Sequence, residues 1–550
     1  PASNANVIYE YAPGGSSLGE GHLVVPAPKP QHGGTVSIGV ESEATGLRPW
    51  EDACSSPCLI FMQAVHDRLM EQTYTGDYSP QMAESLTPND DYTVWTMVLR
   101  PGITFSNGDA LNAQTIADMF PIQQTGAVSA GPVGRSGLVG VEAVGDLTVE
   151  YTLSATNVAF AGELAIQGLG MVFHPGLAAS DPEGYTMNPI GTGAFILETR
   201  DIDNETVFVR NPNYWMSVNG KQLPYLDQLI IRPIPDETSR LAALTSGTVD
   251  GMQTLRQATI RDARLADDIV MHEFQGNNSG GGHFNVAVAP YDDVRVRRGL
   301  TLANNQEAAI EALGGAGISA PGTQFFSPDS PWYSQAVADA WPSFDMDAAI
   351  ALLQEYVDDP TRSDGKAVGE KIDVEYGCVA GEATLIALAA VHEGLWTSTG
   401  LVNVTVNMSA DQPTHINVAL GIGNAFVGEH GAHCWRFGDQ QDPSIALGSA
   451  YGNPVSNPLN FSNYDSPEAR ALLDEAMTVA DFETRKALYE QVGLLGARDV
   501  PMWYSGHTAT ALAFEEGIAG LTDWVLPDGT VGIGHPSAIP RTYQMWRTDG

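Results

Sequence analysis

The stretch from Asn188 to Asp250 constrains this chain more than any other. It opens on Asn188-Pro-Ile-Gly-Thr-Gly-Ala-Phe195, passes Arg210-Asn-Pro-Asn-Tyr-Trp215 and closes on Ser246-Gly-Thr-Val-Asp250. Gly191 and Gly193, flanking Thr192, suit a tight turn that feeds an alternating strand from Ala194 to Thr199. Asn211-Pro212-Asn213 is turn chemistry. Each piece alone is unspecific. Their order and spacing over about sixty residues make a signature.

A chain of 550 residues is too long for one simple core, so two or three domains are expected. A hydrophobic content of 43% and a charged content of 17% fit a globular chain rather than a disordered one. No uninterrupted apolar run reaches the roughly 18 residues of a membrane helix, and the apolar run Thr384 to Val391 reads as a buried helix. The 66 acids against 26 bases give a formal charge of −40, which repels phosphate backbones and anionic lipid. Nucleic acid is therefore excluded as a partner. Solubility explains the acids; a saline habitat is the sharper alternative.

Four cysteines are too few for a disulfide scaffold. Cys54-Ser-Ser-Pro-Cys58 is a single close pair, whereas a zinc site wants two such knuckles, so no metal is expected. The predicted pairs are Cys54–Cys58 and Cys378–Cys434, in an exported protein. The start Pro1-Ala-Ser-Asn shows neither a basic nor an apolar leader region, which reads as a cytoplasmic chain or an already processed one. Residues 1–34, rich in Pro, Gly, Ser and Ala, read as an extended tether.

Along the chain, Thr35–Val40 reads as a first strand. Pro57 to Met70 reads as a helix, with Ser56 as N-cap and Leu59, Met62, Val65 and Leu69 as its apolar face. Thr93–Arg100 and Asp146–Leu153 read as strands, the second half-buried by its alternation. Gln228–Pro233 is a strand, and a helix from Arg240 stops at Gly247. Gly280-Gly-Gly282 has no Lys to hold a phosphate and reads as a loop before a strand. Ile372–Tyr376, Leu385–Trp396 and Val402–Val406 make a βαβ unit with parallel strands. Two amphipathic helices follow, opened by Ser466 and Asp481.

In that order the three pieces of the 188–250 stretch resemble a signature of the bacterial extracellular solute-binding proteins of family 5, cluster C receptors of ABC importers. Other segments share the likeness: Arg100-Pro-Gly-Ile-Thr-Phe-Ser-Asn-Gly-Asp109, with Ser106 where the family has His; Asp293-Val-Arg-Val-Arg-Arg-Gly-Leu300; Phe344-Asp-Met-Asp-Ala-Ala-Ile-Ala-Leu-Leu353; and Val500-Pro-Met-Trp-Tyr504. The resemblance spans roughly residues 33–525. It implies an α/β, two-lobed periplasmic-binding-protein type II fold with an extra subdomain inserted in the first lobe. The implied division is a flexible tether over 1–32, lobe I over 33–78 and 188–285, the insert over 79–187, lobe II over 286–500, and a return to lobe I over 501–550. Ligand would bind in the cleft and be buried by lobe closure.

Cys434-Trp-Arg-Phe-Gly-Asp-Gln-Gln-Asp-Pro443 resembles the family segment whose first acid pairs with the ligand α-amino group. The spacing Asp439-x-x-Asp442-Pro443 puts Asp439 in that role, and one extra residue after Trp435 leaves open which of Trp435, Arg436 and Phe437 faces the ligand. The loop Ser42, Glu43, Ala44 follows the first strand and in relatives offers backbone groups and an acid to the ligand. Trp503 and Tyr504 are candidate cleft aromatics, with core packing as the alternative.

His430-x-x-His433 is too little for a metal site, and His392-Glu393 lacks the second His of a zincin helix. No nucleophile elbow is present and no acid pair stands out, so no catalytic residue and no cofactor are assigned. The expected function is a monomeric, non-enzymatic receptor in the periplasm or on the outer face of the cytoplasmic membrane. It delivers a solute, first of all a peptide, to an ABC permease and touches the membrane only through a lipid anchor of the kind such tethers follow. An oligosaccharide, opine or metal chelate is the alternative solute. A secreted hydrolase or a structural surface protein is the alternative class.

Overall fold

The computed structural model describes residues 9–11, 30–276, 279–380, 383–410, 412–419, 431–437, 442–455, 457 and 459–548. The chain divides into two compact units. Unit 1 is Pro1–Leu255, Asp262–Phe274 and Thr510–Gly550; unit 2 is Arg256–Arg261 and Gln275–Ala509.

Unit 1 holds a sheet of eight strands with Thr35–Val40 near its centre. Val36, Ile38 and Val40 are wholly buried, as expected for a strand covered on both faces. It runs parallel to Gln228–Pro233 on one side and to Gly251–Thr254 on the other. Tyr9–Tyr11, within the segment expected to be a tether, forms a parallel edge strand against Ile269–Phe274. A second sheet of four antiparallel strands, Ala83–Pro88, Val94–Leu99, Thr148–Leu153 and Leu138–Ala143, has its own hydrophobic core within unit 1. The helix Ala113–Gln123 packs on this sheet, started by a reciprocal cap between Asn112 and Thr115.

The helix expected over 57–70 ends sooner, as Ser56–Val65 with Ser55 at its N-cap. His66 is already extended, and Met70–Gln72 is a short strand. The reason is polar. Asp67 turns inward to accept from the Tyr214 hydroxyl at 3.1 Å and the Trp215 indole N–H at 2.7 Å. Arg68 pairs with Glu71 at 2.8 Å, and Glu71 with Arg541 at 2.8 Å. Arg541 also donates to Gln63 at 2.7 Å. This buried network stitches the C-terminal segment onto the helix end.

The signature stretch is scaffold. A Cβ on Gly191 would lie 1.9 Å from the Val65 carbonyl oxygen, and one on Gly193 2.5 Å from the Val65 carbonyl carbon. The chain bends at 192–194 into the Phe195–Asp201 strand, as expected. Neither glycine has a positive φ, so close approach to Val65 is what requires glycine at both. Asn211 donates to the Gly193 carbonyl at 3.0 Å, joining the first two pieces. Asp250, in the third piece, accepts from Ser37 N and Oγ at 2.6 and 2.7 Å and pairs with Arg547 at 3.0 Å.

Unit 2 holds a six-stranded sheet in the order Ser319–Ala320, Met502–Thr508, Ser279–Phe284, Ala432–Phe437, Ile372–Val379, Val402–Ser409. The last three are mutually parallel; the βαβ reading predicts this for Ile372–Val379 with Val402–Ser409, and Ala432–Phe437 adds a third. Gly280 to Gly282 are in a strand and not in the expected loop. The Trp503 side chain and backbone press against that strand where Gly281 and Gly282 carry no side chain. The helix Ala383–Thr397 is likewise not fully buried: Ile386 is 49% exposed, because only one side of the helix meets the sheet. Met502–Thr508 lies in unit 2's sheet, and the chain returns to unit 1 one residue later as Thr510–Glu515.

Both predicted disulfides are present, Cys54–Cys58 and Cys378–Cys434. The second bridges neighbouring parallel strands, one residue past the Gly377–His433 pair. Among the described residues, no helix is long and apolar enough to cross a membrane.

Candidate functional site

In α/β sheets, ligands gather at the carboxyl ends of parallel strands. In unit 2 that end is reached by Ile372–Val379, Val402–Ser409 and Ala432–Phe437. Trp435, Arg436 and Phe437 close the last of these strands. Their side chains alternate across the sheet.

Phe437 is buried. Its ring lies 4.9 Å from Phe325 and 5.5 Å from Tyr504, so it belongs to the core. Trp435 is half-buried, 4.4 Å from the Phe461 ring and stacked on His415 at 6.3 Å. Arg436 is half-buried on the opposite face and pairs in register with Gly280. Asp439 lies outside the described residues.

Asp442, three residues on, has a structural task. It caps the helix Pro443–Tyr451 through Ser444 N at 2.9 Å and takes two bonds from Arg485, at 2.8 and 3.2 Å. Arg485 is buried, donates to the Tyr489 hydroxyl at 3.0 Å and sits 5.4 Å over the Trp332 ring. Burial lowers the Arg485 pKa, but the nearby Asp442 outweighs it and leaves the guanidinium above its usual value.

Trp503 and Tyr504 are packed into unit 2's core. Trp503 donates to His392 Nε2 at 3.2 Å, and burial holds that imidazole down at about 4. Tyr504 meets Trp341 edge-on at 4.8 Å, and burial pushes its hydroxyl well above the usual range. His433 is buried in its strand, 5.5 Å from the His283 ring and 5.9 Å from that of His415; His430 lies outside the described residues. Among the described residues, no group of three or more His, Cys, Asp or Glu is placed to hold a metal ion.

In unit 1, Ser42, Glu43 and Ala44 follow the Thr35–Val40 strand. Glu43 pairs with Arg200 at 2.9 Å and also accepts from Ala44 N and Asp203 N at 3.1 and 3.2 Å. The Arg200 side chain is only 2% exposed, and it donates a further bond to the Ala44 carbonyl at 2.8 Å. This loop therefore presents an acid whose charge is already met. Next to it, Glu41 accepts from Leu255 N at 3.1 Å, where the chain leaves unit 1.

Sequence reasoning missed Arg200, Arg485 and Asp67. Each works through a partner far along the chain: Glu43 is 157 residues from Arg200, Asp442 is 43 from Arg485, and Trp215 is 148 from Asp67. Local pattern gives no sign of such pairs.

Comparisons with known proteins agree with this architecture. The chain is 28% identical over 466 residues to heme-binding protein A of Haemophilus influenzae, covering 80% of this chain and 81% of that one. It is 26% identical over 468 residues to a dipeptide-binding protein of Pseudomonas aeruginosa, covering 80% and 83%. In three dimensions it is similar to the periplasmic binding protein DppA of Helicobacter pylori, solved with the peptide STSA. The TM-score is 0.80 at 19% identity, over 94% of this chain and 99% of that one. It is also similar to AgaA of Agrobacterium tumefaciens R10 in complex with agropinic acid, with a TM-score of 0.79 at 19% identity, over 94% and 99%. These likenesses show the type II periplasmic-binding-protein fold. The profile described as bacterial extracellular solute-binding proteins, family 5, middle part, matches residues 77–415. The chain belongs to the bacterial extracellular solute-binding proteins of family 5, binding proteins of the periplasm or cell exterior that serve ABC importers.

Proposed function

We propose that this receptor takes up a peptide outside the cytoplasmic membrane and hands it, as a monomer, to an ABC permease. The observation that carries the reading is the end of the Ala432–Phe437 strand. Half-buried Trp435 and Arg436 stand there at the carboxyl ends of parallel strands, just before Asp439. Of the two acids that the sequence offers to a ligand amine, Glu43 is already paired with Arg200. Asp439 is therefore the residue we assign to the amine. A peptide held through its main-chain groups is recognised in a mode that tolerates many side chains. Arg436 suits a solute that bears a carboxylate. That preference equally favours an opine-like acid, which keeps a non-peptide solute as the second reading.

The test is a thermal-shift screen with di- to decapeptides. A ligand that binds only the folded state stabilises it by RT ln(1 + [L]/Kd), about 3 kcal/mol at a hundredfold excess over Kd. With the best hit, calorimetry on Asp439→Asn should show a loss of about 3–5 kcal/mol, because the ammonium is left unpaired. Equal binding by parent and variant removes Asp439 from the role. A shift from sugars, opines or chelates and none from peptides removes the peptide.

A further inference from the structure

The two disulfides differ in their surroundings. Cys378–Cys434 is enclosed in unit 2, with Cys378 wholly buried and Cys434 5% exposed. It joins residues 56 apart, so it constrains the unfolded chain strongly. Cys54–Cys58 joins residues only four apart and supplies less of that constraint. Cys58 is wholly buried, but Cys54 is only half-buried, so the Cys54 end of this bond is the one that solvent reaches.

The fold around Cys54–Cys58 is held by other groups. Between the Thr35–Val40 strand and the helix Ser56–Val65, Thr45 Oγ1 donates to the Ala53 carbonyl at 2.9 Å. Arg48 pairs with Asp52 at 2.7 Å, and Gln167 donates to the Asp52 carbonyl at 2.7 Å. Both sulfurs also have a place to rest once parted. Cys58 Sγ stands 3.7 Å from the Gly46 carbonyl oxygen and 3.6 Å from the Thr45 hydroxyl, within hydrogen-bond reach of a thiol. Cys54 precedes a helix whose N-cap, Ser55, makes no side-chain bond and whose first turn carries no acid. A helix end of that kind favours a thiolate beside it. The acids that precede Cys54 are engaged elsewhere, Glu51 with Ala127 N at 3.1 Å and Asp52 with Arg48.

We propose that Cys54–Cys58 is a reducible bond, and that Cys54 is the site at which a dithiol, small or carried by a protein, exchanges with this chain. One thiolate of the dithiol attacks Cys54 Sγ. The Cys54–Cys58 bond breaks and its electron pair leaves on Cys58, which takes a proton and donates to the Gly46 carbonyl. The second sulfur of the dithiol, as thiolate, then attacks the first. That closes the dithiol into a disulfide and releases Cys54 as a thiolate. The dithiol is oxidised by two electrons, the cysteine pair is reduced by two, and the dithiol's two protons end on the cysteines or in water. The segment from Thr45 to Asp52 stays folded throughout on its own bonds.

The test holds the folded, full chain with dithiothreitol in one arm and with reduced thioredoxin in the other, without denaturant. Thiols are then trapped with N-ethylmaleimide and mapped by mass spectrometry. Cys54 and Cys58 should be labelled about tenfold or more faster than Cys378 and Cys434, because exchange follows access to the sulfur. Labelling in either arm supports the proposal, and the arm that reacts names the source of the dithiol. Hydrogen exchange should quicken over residues 53–58 and stay unchanged over the Thr35–Val40 strand. The Tm should fall less in Cys54→Ser/Cys58→Ser than in Cys378→Ser/Cys434→Ser. No labelling of Cys54 and Cys58 in either arm overturns the proposal. Labelling of Cys378 and Cys434 at the same rate or faster does so too, because exchange would then run through unfolding. A Tm loss in Cys54→Ser/Cys58→Ser as large as in the other pair also overturns it, since the bond would then be holding the fold.

Discussion

Replacing Arg485 by Met should destabilise unit 2 by about 3 kcal/mol, the lower end of the cost of breaking a buried ion pair. Both partners are buried, with side-chain exposures of 9% for Arg485 and 8% for Asp442. Removing the guanidinium takes two hydrogen bonds from the carboxylate, at 2.8 and 3.2 Å, and a third from Tyr489. The cation over Trp332 is lost as well. The cost stays at the lower end because Asp442 keeps its bonds from Ser444 N and Oγ, at 2.9 and 2.6 Å. Met fills much of the volume, so little of the effect is cavity. The assay is urea unfolding followed by tryptophan fluorescence, to which Trp332 contributes among ten tryptophans. The double variant Arg485→Met/Asp442→Asn should be less damaged than the sum of the two single variants, since it leaves no buried charge behind. A loss below about 1 kcal/mol for Arg485→Met, or strict additivity in the cycle, would refute the claim that this pair anchors the helix Pro443–Tyr451.

Asp67 should make stability depend on pH. Burial raises its carboxyl from 3.8 to about 7, against the pull of its bonds from Trp215 and Tyr214. The folded chain then holds a proton that the unfolded chain has released, so this group's contribution falls as pH rises from about 4 to 7 and levels off above. The whole change is about 4 kcal/mol at most, at roughly 1.4 per unit. Asp67→Asn should flatten the denaturation midpoint between pH 5 and 7, and an unchanged slope would count against the burial argument. The Cys378–Cys434 bond spans 56 residues, and its replacement by Cys378→Ser/Cys434→Ser should cost about 2–4 kcal/mol in thermal unfolding. An unchanged Tm would mean that the bond constrains nothing.

The sequence alone determined what is local or periodic. Alternation located Thr148–Leu153, and capping chemistry located the helices opened by Ser466 and Asp481. Parallel pairing of Ile372–Val379 with Val402–Ser409 followed from the βαβ pattern, because two strands joined by a helix can pair readily only in that sense. The family was legible too, since its signature keeps turn and close-approach residues at fixed spacing. Only the tertiary structure decided what those residues do. Gly191 and Gly193 make room for the backbone at Val65, and Gly281 and Gly282 for Trp503. Asp67 ends a helix that the apolar pattern would have continued, because its partners Tyr214 and Trp215 are about 150 residues away. Glu43 reads as a solvated loop acid until Arg200 is placed against it. A sequence records each residue's chemistry but not which distant group will satisfy it, and in a buried site that partner decides whether a charge is left for a ligand.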